Sequence, residues 1–344
     1  MKKYSIALIS TIILFGGIWY TESLSAREIS PKATSICCIG RWRSDAVCAV
    51  AQDEQRHLVF AGCRTSVCII DVSDPDQPTK LSHFEHSAFA LCDLYFDETS
   101  GRLYVAKGDL GIDIWDISDS ETPKKCGGYD TPGYACGLST RGDYAYIADG
   151  DAGVQVINVA DPVNPRIVGN FEMACATNIV LSDSYAFVAD LGLRILDISA
   201  PNRPKEISYV ETPGVARDLH IEGCYAYVAD DWCGVRIIDI SDLTSPKEVG
   251  QVCTSGYAWD IQVAGSNLYI AACDGGLQVV DVSNPTEPQE VAVRMASQEA
   301  LSVVATPQHA YVAQSASGLG IYAHEVTRGN TANERSTDNL AASY

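Results

Sequence analysis

The chain of 344 residues carries 24 Lys and Arg against 44 Asp and Glu, a formal charge of −20, and 47% of it is apolar. A surface of that sign repels phosphate backbones, which makes nucleic acid and anionic membrane poor partners. The apolar share is that of a folded globular chain, and no low-complexity tract displaces it.

Residues 1–26 begin with Lys2 and Lys3, continue in an apolar run from Tyr4 to Tyr20, and end on Ser23, Leu24, Ser25 and Ala26. This is the layout of a secretory signal peptide, with cleavage after Ser25 or Ala26. The run is also near the lower length for a membrane span, so an uncleaved anchor is the alternative. No cysteine directly follows it, which argues against a lipoprotein. The expectation is an extracytoplasmic protein, periplasmic, secreted or at the cell surface, with no stable membrane insertion once the signal is removed. Removal takes Lys2, Lys3 and Glu22 and leaves the charge one unit more negative.

From Ser66 a motif recurs: SVCIIDVSDPDQPTKLS, GIDIWDISDSETPKKCG from Gly111, GVQVINVADPVNPRIVG from Gly153, GLRILDISAPNRPKEIS from Gly192, GVRIIDISDLTSPKEVG from Gly234 and GLQVVDVSNPTEPQEVA from Gly276. Asp71, Asp116, Asn158, Asp197, Asp239 and Asp281 are equivalent, and their spacing of about 42 residues is that of propeller blades. A worn copy, Gly318 to Tyr322, lies one period further on. Within the unit that starts at Gly214, four alternating segments read as strands: A, Val215 to Ile221; B, Tyr225 to Ala229; C, Val235 to Ile240; D, Lys247 to Val252. Gly, Asp, Asn, Ser and Pro separate them. Four antiparallel strands per period make one blade, and the whole assembles as one all-β domain over residues 35–323.

Strands of the A, B and C types occur seven times, but D follows C only six times. The missing D is Ser35 to Arg43, SICCIGRWR, which resembles KKCGGY at Lys124 to Tyr129. The expectation is a seven-bladed β-propeller of four-stranded blades, closed by one blade shared between the N- and C-termini, which leaves no free inner edge. Residues 324–344 lack periodicity and apolar content and read as a disordered polar tail.

The motifs GLQVVDVSNPTEP and GVRIIDISDLTSP, preceded by AYVAD, resemble the LVIVD repeats of exported bacterial β-propeller proteins. The resemblance covers nearly all of residues 35–323. It implies a cell-envelope propeller and no common activity; Asn158 and Ala323 depart from the pattern.

Thirteen cysteines are too sparse for a cystine-stapled scaffold. Spacing singles out two pairs, Cys63 with Cys68 across a short turn and Cys233 with Cys273 in neighbouring repeats. There is no Gly-x-Ser-x-Gly, His-Glu-x-x-His, phosphate loop or Cys-x-x-Cys. The repeated Asp-Ile/Val-Ser, with Pro seven residues after the Asp in Asp239 to Pro246, reads as a turn device. Asp149 to Gly153, DGDAG, looks superficially like a calcium loop but sits where each repeat turns and lacks the later acidic ligand.

Function on a closed propeller gathers where the D-to-A and B-to-C loops emerge. Those loops hold His86, Phe89, Lys107, Asp109, Tyr134, Asp149, Asp151, Asp190, Asp230, Asp231, Trp232 and Tyr257, with Arg217 and Trp259 just inside. Lys107, Arg217, Asp230, Asp231, Trp232, Tyr257 and Trp259 are the candidate ligand-binding face. One step along the inner strands lie Ala49, Asp93, Gly137, Asn178, Asp218, Asp260 and Ser302. Asp93, Asn178, Asp218 and Asp260 are either candidate ligands of an axial cation, Ca²⁺ first, or caps for neighbouring amides. Two functions follow. One is a binding module for an envelope protein, a glycan or a small polar ligand; the other is a lactonase-like hydrolase or lyase assisted by Ca²⁺. A structural envelope component is a third. No catalytic residue is singled out.

Overall fold

The computed structural model describes residues 36–43, 46–87, 91–294 and 299–324. The expected signal peptide, Phe89 and the tail beyond the His324 backbone lie outside the described residues. Among the described residues there are 28 strands and no helix.

After β1 (Ile36–Trp42), blade 1 comprises β2 (Val47–Asp53), β3 (Leu58–Cys63), β4 (Ser66–Asp71) and β5 (Thr79–Glu85). Blade 2 is β6 (Asp93–Asp97), β7 (Arg102–Ala106), β8 (Ile112–Asp116) and β9 (Lys124–Tyr129); blade 3 is β10 (Gly137–Arg141), β11 (Tyr144–Ala148), β12 (Val154–Asn158) and β13 (Arg166–Phe171). Blade 4 is β14 (Asn178–Ser182), β15 (Tyr185–Ala189), β16 (Gly192–Asp197) and β17 (Lys205–Glu211); blade 5 is β18 (Asp218–Glu222), β19 (Tyr225–Ala229), β20 (Val235–Asp239) and β21 (Lys247–Val252). Blade 6 is β22 (Asp260–Ala264), β23 (Asn267–Ala271), β24 (Leu277–Asp281) and β25 (Gln289–Arg294). The seventh sheet has the order β1, β28 (Leu319–His324), β27 (His309–Ala313), β26 (Ser302–Ala305), with β1 antiparallel to β28.

The inner strands touch in the cyclic order β2, β6, β10, β14, β18, β22, β26 and back to β2, so seven four-stranded antiparallel blades form a ring. The core is not in any blade but between blades. Seven apolar clusters each join two adjacent sheets, including one that unites Val47, Val59 and Ile70 with Tyr311, Leu319 and Ile321. The second strand of every blade explains this. Its third residue is Phe60, Tyr104, Tyr146, Phe187, Tyr227, Tyr269 or Tyr311, all buried, and small Ala residues beside them let sheets approach. Alternate residues of a strand face opposite sides, and here both sides are neighbouring blades.

The turn reading of the repeated acid holds. Asp71, Asp116, Asp197, Asp239 and Asp281 each accept the backbone N–H two residues on, at 2.8–2.9 Å. Asn158 does the same at 3.2 Å, so the worn repeat keeps the device. The hydrogen bonds from Ser73 and its equivalents hold these exposed carboxyls below their usual range. Asp149 to Gly153 is a tight turn, with Asp149 N–H on the Gly153 carbonyl at 2.8 Å. The inner strand of blade 5 begins at Asp218, later than the Val215 expected from alternation. Gly214 donates to Asp230 and Arg217 leans onto Asp231, so these residues belong to the loop.

Candidate functional site

One face of the ring is built from the loop between the second and third strand of each blade, met by the connector that enters the next blade. Isolated backbone bridges tie the two: Gly108 with Ala135, Gly150 with Ala176, Asp231 with Ala258, Cys273 with Ala300 and Val47 with Ser315. The bridging residue of the loop is left-handed, with φ of 57° and 59° at Gly108 and Gly150. Asp231, Cys273 and Ser315 hold the same region at 52°, 46° and 42°, so blades 5 to 7 present side chains where blades 2 and 3 have none.

At blades 5 and 6 this frame gathers five of the seven candidate face residues. Arg217 pairs with Asp231 through Nε and Nη2 at 2.8 and 2.6 Å, and its guanidinium lies 4.9 Å over the Trp259 ring. Trp232 follows Asp231 and is 61% exposed; Tyr257 precedes the bridged Ala258 and is 51% exposed. Leu110 and Leu191 add apolar surface on the same loops of blades 2 and 4.

The other two are not on that surface. Lys107 is buried, with its Nζ 2.8 Å from Asp113, which Lys125 also reaches at 2.9 Å. Asp230 is wholly buried: it accepts Thr212 Oγ1 at 2.5 Å and Gly214 N–H at 3.0 Å, and Arg236 lies at 3.4 Å. Burial pushes its carboxyl above the usual range against those hydrogen bonds. His86 is also buried, a ring nitrogen 3.1 Å from the Cys63 carbonyl, and burial depresses its pKa.

Sequence reasoning missed the partners of these corner residues: Asp113 for Lys107, Arg194 for Asp190 at 2.7 Å, and Arg236 for Asp230. The signal was present as one polar residue, Asp113, Gln155, Arg194, Arg236 or Gln278, at the same place in the otherwise apolar third strands of blades 2 to 6.

The four candidate cation ligands lie in a belt of hydrogen bonds that crosses from blade to blade. Asp218 accepts Ile261 N–H at 2.8 Å, Asp260 accepts Val303 N–H at 2.9 Å, and Ser302 accepts Val50 N–H at 3.1 Å. Asp93 accepts Leu94 N–H at 2.8 Å and the Leu138 amide. Asn178 accepts Ile179 N–H at 2.6 Å and donates to Asp218, and Gly137 makes room for it, since a Cβ there would lie 2.7 Å from its Oδ1. Among the described residues no three His, Cys, Asp or Glu are placed to hold one metal ion.

Burial raises all three carboxyls. It pushes Asp93 up to about 7, with the charge of Asp260 adding. Asp218 is raised well above its usual range by burial and by Asp260, with which it shares a hydrogen bond, and Asp260 is raised by burial. A carboxyl whose folded value lies above the unfolded 3.9 binds a proton that the unfolded chain does not, so stability falls as pH rises between the two values. Asp93 is only partly buried, which softens the effect. From pH 4 to 7 the loss should approach, for Asp93 alone, at most about 1.4 kcal/mol per unit. Urea unfolding across that range should show it, and Asp93→Asn should flatten the slope; an unchanged slope would contradict the assignment.

None of the thirteen cysteines forms a disulfide. Neither of the two pairs suggested by spacing is bridged in this structure. The side chains of Cys63 and Cys68 interact through a hydrogen bond, and Cys233 and Cys273 lie unbridged on the loops of separate blades.

A ring of seven four-stranded blades built from a recurring sequence repeat, with five of its loops bridged at one face, defines a repeat-built β-propeller. The chain belongs to the LVIVD-repeat family: the LVIVD repeat model matches residues 101–131, 132–173, 175–212, 213–254 and 255–294, more than half of the chain. Among solved structures it is similar to the crystal structure of the computationally designed Ika8 protein, at 11% identity and a TM-score of 0.60, over 85% of this chain and 99% of that one. That likeness shows the fold alone. No curated protein sequence matches.

Proposed function

We propose that this propeller is an extracytoplasmic binding module that docks a protein or glycan of the cell envelope on the bridged face of blades 5 and 6. The observation that carries this is the placement of Trp232 and Tyr257, both more than half exposed, on two loops locked together by the Asp231–Ala258 bridge. Large apolar rings held out in water on a rigid frame are costly for a monomer and useful in an interface. Arg217, already fixed by Asp231 and Trp259, supplies an oriented cation beside them at little further cost in side-chain entropy. The net charge of −20 favours a neutral or basic partner.

The test is a depletion isotherm of the mature protein on washed envelope fragments from its own source. Trp232→Ala with Tyr257→Ala should weaken saturable retention by roughly thirtyfold or more, the scale of one hot-spot residue. Val163→Ala, on an outward loop of the opposite face, should leave it unchanged. Retention indifferent to the aromatic pair but lost with Val163 would overturn the reading.

A further inference from the structure

The corners of three blades contain a two-residue contact at one fixed register. In blades 2, 4 and 5 the residue opposite the strand position one before the last of the second strand is Asp113, Arg194 or Arg236, paired with Val105, Val188 or Val228. Each reaches the first residue beyond that second strand: Lys107, Asp190 or Asp230, at 2.8, 2.7 and 3.4 Å. The sign of the pair is reversed in blade 2, so at these corners either order of the two charges serves. In blade 1 the register is Ala61 with Cys68 and Gly62 with Val67, which puts Cys68 at the place of Arg236 and Cys63 at the place of Asp230. The intervening loop is one residue shorter here, Arg64 to Val67 against Asp231 to Val235 in blade 5, which draws the two ends closer. Both thiols are buried, and they hydrogen-bond to each other beneath the exposed Arg64 and Thr65.

We propose that Cys63 and Cys68 form a peroxide-oxidisable dithiol, which closes to a disulfide and staples the corner of blade 1 where other blades use an ion pair. Cys68 is the attacking sulfur. The Cys63 hydrogen bond lowers its pKa to about 6, with the Lys80 cation and Ser66 adding, against the opposing effect of burial. The Cys68 thiolate attacks one peroxide oxygen; the O–O bond breaks, leaving a sulfenic acid on Cys68 and hydroxide. The Cys63 sulfur then attacks the Cys68 sulfur, the S–O bond breaks, and that oxygen leaves as water with the Cys63 proton. The first hydroxide takes the proton that Cys68 had released on ionising. Two thiols lose two electrons and one peroxide becomes two waters. By contrast, Cys48, Cys136 and Cys273 are pushed up by burial to about 11, 12 and 12, which keeps them protonated.

The test uses the mature, folded protein with one equivalent of hydrogen peroxide, then denaturation, alkylation and tryptic digestion without reductant. Arg64 lies between the two cysteines, so peptides 57–64 and 65–80 carry one each. The expected result is a linked pair of these peptides that separates on reduction, with Cys48, Cys136 and Cys273 still alkylated. Cys63→Ser should leave a Cys68 sulfenic acid that a diketone trap captures, and Lys80→Gln should slow linkage several-fold. Peptides 57–64 and 65–80 recovered separately with both cysteines alkylated, or either cysteine linked elsewhere, would overturn the proposal. Because wild type gives the decisive result, a variant that fails to fold does not blur it.

Discussion

Gly250→Val should destabilise the ring by about 3 kcal/mol, the upper part of the range for overpacking a rigid site. A Cβ at Gly250 would lie 2.2 Å from the Pro285 carbonyl oxygen of the next blade. The approach repeats around the ring, at 1.9 Å for Gly40 on Pro75, 2.0 Å for Gly127 on Pro162 and 2.4 Å for Gly169 on Pro201. Outer strands thus rest directly on the turn of the following blade. Where the residue is Ser, its hydroxyl donates to the same carbonyl: Ser82 to Ser120 at 2.5 Å and Ser208 to Leu243 at 2.6 Å. Gly250→Ser should therefore cost much less than Gly250→Val, because a hydroxyl turns the close approach into a hydrogen bond. Urea midpoints of the two variants measure the difference, and equal midpoints would contradict the contact.

Asp230→Ala should cost about 3 kcal/mol, the low end for removing one partner of a buried pair, because Arg236 keeps Glu248. The loss would strand Thr212 Oγ1 and the Gly214 N–H and would leave Arg236 with Glu248, at 3.2 Å, and Gln251, at 2.7 Å. Asp149 offers an internal control: it holds Thr131 Oγ1 at 2.6 Å and Gly133 N–H at 2.8 Å, but the residue equivalent to Arg236 is Gln155, which bonds the Ala152 carbonyl instead. Asp149→Ala leaves no cation unpaired and should cost about 2 kcal/mol. The double change Asp230→Ala with Arg236→Met should recover part of the larger loss. If the Asp149 variant proves the less stable of the two, the ion pair is not what secures this corner.

How much of this could be read in advance follows from what each feature depends on. The blade count was legible because the repeat carries its own period, and the turn acids because their partners lie two residues away. That Trp232 and Tyr257 stand exposed on loops was legible as well, since bulky side chains in loop sequence have few ways to hide. Lys107 and Asp230 were not legible as buried groups, because their partners Asp113 and Arg236 lie across a hairpin whose register had not been laid out. The belt through Asp93, Asn178, Asp218 and Asp260 needed more still: the Leu138, Ile261 and Val303 amides and the Asp218 carboxylate that Asn178 reaches are each about one period away, in the next blade. Spacing put Cys63 and Cys68 across a turn and Cys233 and Cys273 in neighbouring repeats, but whether two sulfurs meet depends on side-chain geometry that spacing does not carry.

The docking of a partner on blades 5 and 6 is tested most directly by placing a photo-crosslinking amino acid, in living source cells, at Trp232, at Tyr257 and at Val163 in separate full-length proteins. The account predicts discrete adducts from positions 232 and 257, lost when Arg217→Ala is added, and none from position 163. Adducts from position 163 alone, or none from 232 and 257 in cells that crosslink elsewhere on the ring, would contradict it.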